Sequence, residues 1–501
     1  MRWIPKFCMT RMFRQGLLVI FSLSIFCVAV LLLAGCFHAQ KGKAKLVDIQ
    51  PEIREAGGKL TFEDFDIEPG EVETEDFIEF KKLISEAKKL HRDIEEKTGR
   101  IDIGTDFVAK EYAITTKNSS LFGINKGVTW EDMDKNYQPV RRLWEKAVDL
   151  LSRGDVRYVP AYDQGLGAKT FHVSLTLDLV RVGRQLIFIE LQKENYNKAL
   201  KYYEQLITMN KHIVGNRRYS LIEGLVTVTL DGVYAGITRQ FLIGANLNLE
   251  EINKLRKLVQ PPKGFRDLFE SIQGERAIHG SKAWNEMIKS NSELAQLFAG
   301  YEFDSFQMIE NDRNVFHVST AYVHRKFFIH EDYHFYLSCM WGLENLSMEL
   351  LNGTVSYLDA IEKIDEIYIK PQSNLSGLYS LLNLTLPGMD LAIQKMVFME
   401  SLIRQSMIAI ELERYKIRTS KYPEKLSGLS LPEDIDLRDI ITLQPMQYRR
   451  ENDGQSYTLY SVGSNNTDDG GELVPQGRND EGVRMKEDTT PDWIWPKVVF
   501  E

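Results

Sequence analysis

The chain has 501 residues, with 62 Lys and Arg against 71 Asp and Glu and a formal net charge of −9. That balance argues against a nucleic-acid partner, because phosphate binding needs a concentrated basic face and none is visible. Four cysteines in a chain long enough for two or three domains leave no disulfide framework and no multi-cysteine metal centre.

Arg2, Lys6, Arg11 and Arg14 make a basic start, and Gly16 to Leu33 carries no charge. The run approaches the roughly 20 residues that span a bilayer. Leu33-Ala34-Gly35-Cys36 closes it. Small residues immediately before a cysteine resemble the lipobox of bacterial lipoproteins, where the signal is cut ahead of the cysteine and its thiol receives a diacylglycerol. The resemblance implies a signal peptide over 1–35, lipid on Cys36 and a mature chain held on a membrane from outside the cytoplasm. Phe37 stands where an aspartate is often linked to inner-membrane retention, which points to the outer membrane. The alternative is a plain transmembrane helix, and both readings export the body. Cys8 and Cys27 go with the signal, leaving Cys339 beside Met340 and Trp341 as a packed thiol rather than a nucleophile. Residues 36–75, charged and broken by Gly57-Gly58 and Pro69-Gly70, read as a tether.

From 76 to 372 the pattern is that of an irregular array of antiparallel helices. Phe77, Ile78, Phe80, Leu83, Ile84 and Leu90 form one apolar stripe. Phe171 to Leu191 leaves little polar face and should be central. Lys193-Glu194-Asn195 breaks it, and Ala199, Tyr203, Leu206 and Ile207 start a second stripe. Asn248 with Glu251 spaces a capping box, and Pro261-Pro262 stops the helix it opens. Gly183 to Ile213 faintly resembles a tetratricopeptide hairpin through Leu186, Tyr196, Ala199 and Tyr203, while Glu190 and Lys211 depart from that pattern. Such an array offers a surface to protein partners rather than a closed active site.

His330-Glu331-Asp332-Tyr333-His334 matches the zincin pattern H-E-x-x-H. On a helix, histidines four apart face one way and can both bind zinc, with Glu331 activating the metal-bound water. Asp332 departs from the uncharged residues usual between them. Glu344 and Glu349 are the candidate third ligands, and His317 and His324 follow no spacing logic. The cluster reads as a polar helix start on the surface, with a zinc metallopeptidase as the rival function. The chain has no P-loop, no G-x-G-x-x-G opening a helix and no G-x-S-x-G elbow.

Residues 386–501 change character. Leu386-Pro387-Gly388 opens a long helix striped by Met389, Ile393, Met396, Ile403, Met407 and Ile410. Tyr448-Arg449-Arg450 and Tyr457-Thr458-Leu459-Tyr460 flank Asn452-Asp453-Gly454, a hairpin signal. The order Glu411 to Tyr415, Tyr422-Pro423, Tyr448-Arg449, Tyr460-Ser461-Val462-Gly463 and Asp492-Trp493 resembles the globular head of type II secretion pseudopilins. It is similar, more closely, to the tail of exported planctomycete proteins with runs like D-P-F-D-G-Q-P-L-R-Y-R and Y-S-V-G-x-N-x-x-D-D-G-G. This chain keeps Asp439 and Gln444-Pro445 of the first run and most of the second. The pseudopilin resemblance implies a calcium site at Val462, Asn465, Asp468, Asp469 and Asp492, in a loop where eight carboxylates face three basic side chains.

The expected fold is therefore mostly α: an irregular array of antiparallel helices, tetratricopeptide-like at best, then a small α+β module. The expected function is that of a membrane-anchored extracytoplasmic lipoprotein with a non-enzymatic binding or structural role.

Overall fold

The computed structural model describes residues 6–99, 128–215, 219–289, 325–369, 389–463, 465–471 and 492–495. The fold is mostly helical with small antiparallel sheets, and it divides into two compact units. One unit comprises Met1–Asp66, Arg276–Gly342 and Tyr368–Pro387; the other comprises Ile67–Glu275, Leu343–Ile367 and Gly388–Glu501.

In the first unit, α1 (Lys6–Glu55) is unbroken. Residues 36–55, expected as tether, are thus helical. Leu46, Ile49 and Ile53 recur at helical spacing and are buried, a short stripe hidden among lysines. Two glycines set how closely α1 is approached. A Cβ on Gly35 would lie 2.6 Å from the Phe327 ring, and one on Gly42 would lie 2.6 Å from the Glu331 backbone nitrogen.

The second unit starts with β1 (Val72–Glu73) and α2 (Glu75–Thr98). The Thr74 hydroxyl caps α2 by accepting from the Phe77 N–H. Phe77, Phe80, Ile84 and Ala87 turn inward, while Ile78, expected in the same stripe, is 48 % exposed. Next come α3 (Trp130–Asn136), α4 (Gln138–Arg153), β2 (Tyr158–Val159), α5 (Phe171–Gln192) and α6 (Tyr196–Val214). The strands β1 and β2 pair antiparallel, Val72 opposite Val159. As its apolar run requires, α5 is buried along most of its length. Gly183 on it lets Trp144 and Leu206 approach to 2.8 and 2.9 Å of where a Cβ would stand. Glu190 departs from the tetratricopeptide pattern because it is buried as an ion-pair centre, 3.0 Å from both Arg141 and Lys198.

The unit continues with α7 (Leu221–Gly244), α8 (Leu249–Leu258) and α9 (Gly264–Gly274). Asn248 and Glu251 form the expected capping box, the Asn248 side chain accepting from the Glu251 N–H at 3.0 Å and the Glu251 carboxylate from the Asn248 N–H at 3.0 Å. Among the described residues, α7 is long and apolar enough to cross a membrane, but half of that window is buried inside the protein. It also carries the buried Glu223 and Arg239, so it serves as a core helix here.

A π-turn at Glu275–Gly280 leads into α10 (Ser281–Lys289) and α11 (Ile329–Leu351), of which α10 and the part of α11 up to Gly342 belong to the first unit, while the rest of α11, α12 (Tyr357–Ile364) and the long α13 (Met389–Thr419) belong to the second. Ile393, Met396, Ile403, Met407 and Ile410 of α13 are all buried. This helix packs on α7 and α8, and one hydrophobic core runs from Phe77 to Trp495. A three-stranded antiparallel sheet follows, β3 (Gln447–Glu451), β4 (Ser456–Ser461) and β5 (Trp493–Trp495), in that order. Asn452, Asp453 and Gly454 all take positive φ in the hairpin connection. The expected hairpin thus gains a third strand, with Leu459 opposite Trp495 and Ser461 opposite Trp493.

Candidate functional site

The loop leaving β4 is organised by a residue that sequence reasoning singled out only as part of a likeness. Asp439 is buried, and its Oδ1 accepts from the Ser461 hydroxyl at 2.8 Å and the Ile441 N–H at 2.9 Å. Its Oδ2 accepts from the Val462 N–H at 3.1 Å. One carboxylate therefore ties the loop before β3 to the end of β4, which fixes where Val462 and Gly463 leave the sheet. Gly463, Asn466, Gly470 and Gly471 then bend the chain through left-handed conformations.

The five residues expected to bind calcium are all near this exit. Asp468 Oδ1 accepts from the Tyr460 hydroxyl and the Gly470 N–H, both at 2.9 Å. Asp469 Oδ2 accepts from the Asn465 amide at 3.0 Å, and Asn465 Oδ1 accepts from the Thr467 N–H at 3.0 Å. Asp492, at the head of β5, is 5 % exposed; its Oδ2 accepts from the Gly471 N–H at 2.8 Å. Its Oδ1 is buried and, among the described residues, has no hydrogen-bond partner. Burial, reinforced by Asp469 and Asp468, lifts the Asp492 carboxyl above the usual carboxylate range, against the N–H groups of Gly471 and Asp469. An oxygen-only donor set with one orphaned buried carboxylate oxygen suits a hard cation. Asp468 and Asp469 are turned to Tyr460 and Asn465, however. Among the described residues no three His, Cys, Asp or Glu side chains gather closely enough to hold a metal ion. The remaining carboxylates of the loop, Glu472 to Asp488, lie outside the described residues.

His330, Glu331 and His334 sit on the first turns of α11, as the spacing required. Glu331 is not a surface residue facing water. Its carboxylate meets His38 Nδ1 at 3.1 Å and the Lys45 ammonium at 3.3 Å, both on α1. Burial alone would raise this carboxyl, but His38 and Lys45 outweigh it and hold it below the usual range. The His330 ring lies edge-on to Trp284, ring centroids 5.9 Å apart, and burial with Lys43 nearby depresses its pKa. His334 is depressed for the same reason, burial first and Lys45 second. The Ser338 hydroxyl donates to its own helix at the His334 carbonyl, 2.9 Å away. Of the candidate third ligands, Glu349 pairs with Lys363 at 2.6 Å, while His317 and His324 lie outside the described residues. The cluster works in this arrangement as the place where α11 grips α1.

Cys36 is exposed on α1, flanked by exposed Leu33 and Phe37. Cys339 is buried, and burial pushes its thiol up to about 12, which leaves it protonated and unreactive at neutral pH. No family model, curated protein or solved structure matches this chain.

Proposed function

We propose that this protein is an extracytoplasmic lipoprotein, anchored through lipid on Cys36, whose helical body and C-terminal module bind or brace partner proteins rather than catalyse a reaction. The observation that carries this reading is Leu33-Ala34-Gly35-Cys36 at the end of an uncharged run, with the Cys36 thiol exposed. A mature chain starting there keeps Leu46, Ile49 and Ile53, the residues that α1 buries. Two fatty chains on one cysteine give stable anchoring where a single chain gives only reversible binding. The C-terminal module is read as a pseudopilin-head-like unit that binds calcium near Asp492. Support for this comes from the long helix, the Tyr422-Pro423 turn, the antiparallel strands and the orphaned Asp492 oxygen.

One observation favours a second reading of the anchor, a retained membrane helix. The helix α1 is continuous through the cleavage point, and Gly35 is small where Phe327 packs on it. Mass spectrometry of the N-terminus of the membrane-extracted protein separates the two. A diacylated Cys36 terminus, abolished by Cys36→Ala with accumulation of the uncut precursor, supports the lipoprotein. An unmodified Cys36 within an uncut chain refutes it.

A further inference from the structure

The second unit holds a cavity of about 250 Å³ where the end of α7, the start of α8 and the last turns of α13 meet. Leu242, Leu247, Ile252 and Ile417 give it aliphatic walls, and Glu413 and Lys416 line it from α13. Glu413 is held from one side only. The Tyr422 hydroxyl donates to its Oε1 at 2.6 Å, and among the described residues no hydrogen bond reaches its Oε2. Lys416 does not close on it: its ammonium donates to the Gln455 carbonyl at 3.2 Å and lies 4.6 Å from the Tyr422 ring centre.

Nearby glutamates of this unit show what is missing. Glu190 has Arg141 at 3.0 Å, Glu223 has His172 at 2.7 Å, Glu400 has Arg404 at 2.7 Å, and Glu411 has Arg414 at 2.6 Å. In each of these pairs a basic side chain stands beside the carboxylate and offsets part of the cost of removing it from water. Among the described residues Glu413 makes no such close pair: Lys416 is near but turned to the Gln455 carbonyl, and the Glu413 side chain lines the cavity instead.

We propose that this cavity binds a primary aliphatic ammonium group, with the ammonium on Glu413 and its methylenes along Leu242, Leu247, Ile252 and Ile417. At ~30 Å³ per water the space equals roughly eight waters, enough for a short alkyl chain and its charged head. The same chemistry is offered by a small free amine and by the tip of a lysine from a partner chain. Burial raises the Glu413 carboxyl above the usual range, against the Tyr422 hydrogen bond and Lys416. An arriving ammonium adds positive charge beside the carboxyl and favours its ionised form, so binding in mild acid releases protons.

The test is calorimetry on the full chain in detergent with 1-aminopentane as probe and 1-pentanol as its uncharged counterpart. The amine should bind at least roughly tenfold more tightly than the alcohol, about 1.4 kcal/mol. Glu413→Gln should erase that preference. Leu247→Trp, which fills the cavity without touching the carboxylate, should abolish binding of both probes. At about pH 5 the heat should depend on the ionisation heat of the buffer, a wild-type reading that stands even if Glu413→Gln fails to fold. Competition by N-acetyl-lysine methylamide identifies a partner's lysine as the source, and its failure to compete identifies a small amine. Equal affinity for amine and alcohol, binding unchanged by Leu247→Trp, or heats independent of buffer would overturn the proposal.

Discussion

Replacing Asp439 with Ala should loosen the C-terminal sheet more than any other single polar substitution in that module. The carboxylate accepts three hydrogen bonds, from Ser461, Ile441 and Val462, in a site where Asp439, Ile441, Ser461 and Val462 are all buried. Truncation removes a charged acceptor and strands two backbone N–H groups, each costing about 1–3 kcal/mol when unsatisfied. The Ser461 hydroxyl can turn to another acceptor, so its share is smaller. A loss of about 3–4 kcal/mol follows, which is roughly two to three decades in an opening equilibrium. Ser461→Ala deletes one donor and leaves the rest in place, for a loss of about 1 kcal/mol. Hydrogen–deuterium exchange over residues 439–463 reads both variants without assuming that the two units unfold together. If Asp439→Ala speeds exchange there less than about tenfold, or no more than Ser461→Ala, then the carboxylate does not organise the loop as described.

Three further outcomes follow from the geometry. Gly42→Ala should cost about 1–3 kcal/mol of α1 docking, because its Cβ would meet the backbone of Glu331 rather than a side chain that can swing aside; unchanged protease resistance of residues 36–55 would count against that packing. Glu331→Gln should cost about 0.5–1 kcal/mol, since Lys45 and His38 are partly exposed. A carboxyl held below its ordinary value stabilises above that value and loses the contribution as pH falls through the lowered one. The wild type and the Gln variant should therefore converge in stability in acid, and a constant gap at all pH values would refute the ion pair. Asp492 has the opposite sign: its raised carboxyl favours the folded state fully below the ordinary aspartate value, and that contribution fades as pH rises through the raised value. Asp492→Asn should flatten this slope in chelator. Millimolar calcium should raise the wild-type melting temperature, by ~2.7 kcal/mol of stability at a hundredfold excess over Kd, and should not affect the variant; equal wild-type melting with calcium and with chelator would refute the metal.

The helical body was legible because its signals are local and redundant. Asn248 and Glu251 announce a cap that the backbone then forms, and the α13 stripe from Ile393 to Ile410 is buried as its spacing implies. What escaped were features set by packing rather than pattern. Ile78 shares the apolarity of Phe77 but not its face, and one helical position separates burial from exposure. The stripe of Leu46, Ile49 and Ile53 is only two turns long and lies among Lys41, Lys43 and Lys45, so its composition reads as a tether. Trp493-Ile494-Trp495 is too short to declare itself a strand, and its pairing with β4 depends on a partner many residues away.

The candidate sites show the same division, and the His-Glu-His cluster shows its cause. A spacing rule places His330 and His334 one turn apart on a helix, and the helix forms; it says nothing of what stands opposite. Here Lys45 and His38 stand opposite Glu331. The Glu331 carboxylate in this arrangement ties the start of α11 to α1 through those two side chains. Glu413 is the converse. Its stretch of sequence, Glu411 to Tyr415, reads as ordinary alternating charge on a helix end. The fold gives Glu411 its arginine and gives Glu413 a tyrosine and a cavity. Two glutamates two positions apart thus differ in whether the protein closes a cation onto them, and a carboxylate without a close pair is where a ligand's charge has most to contribute.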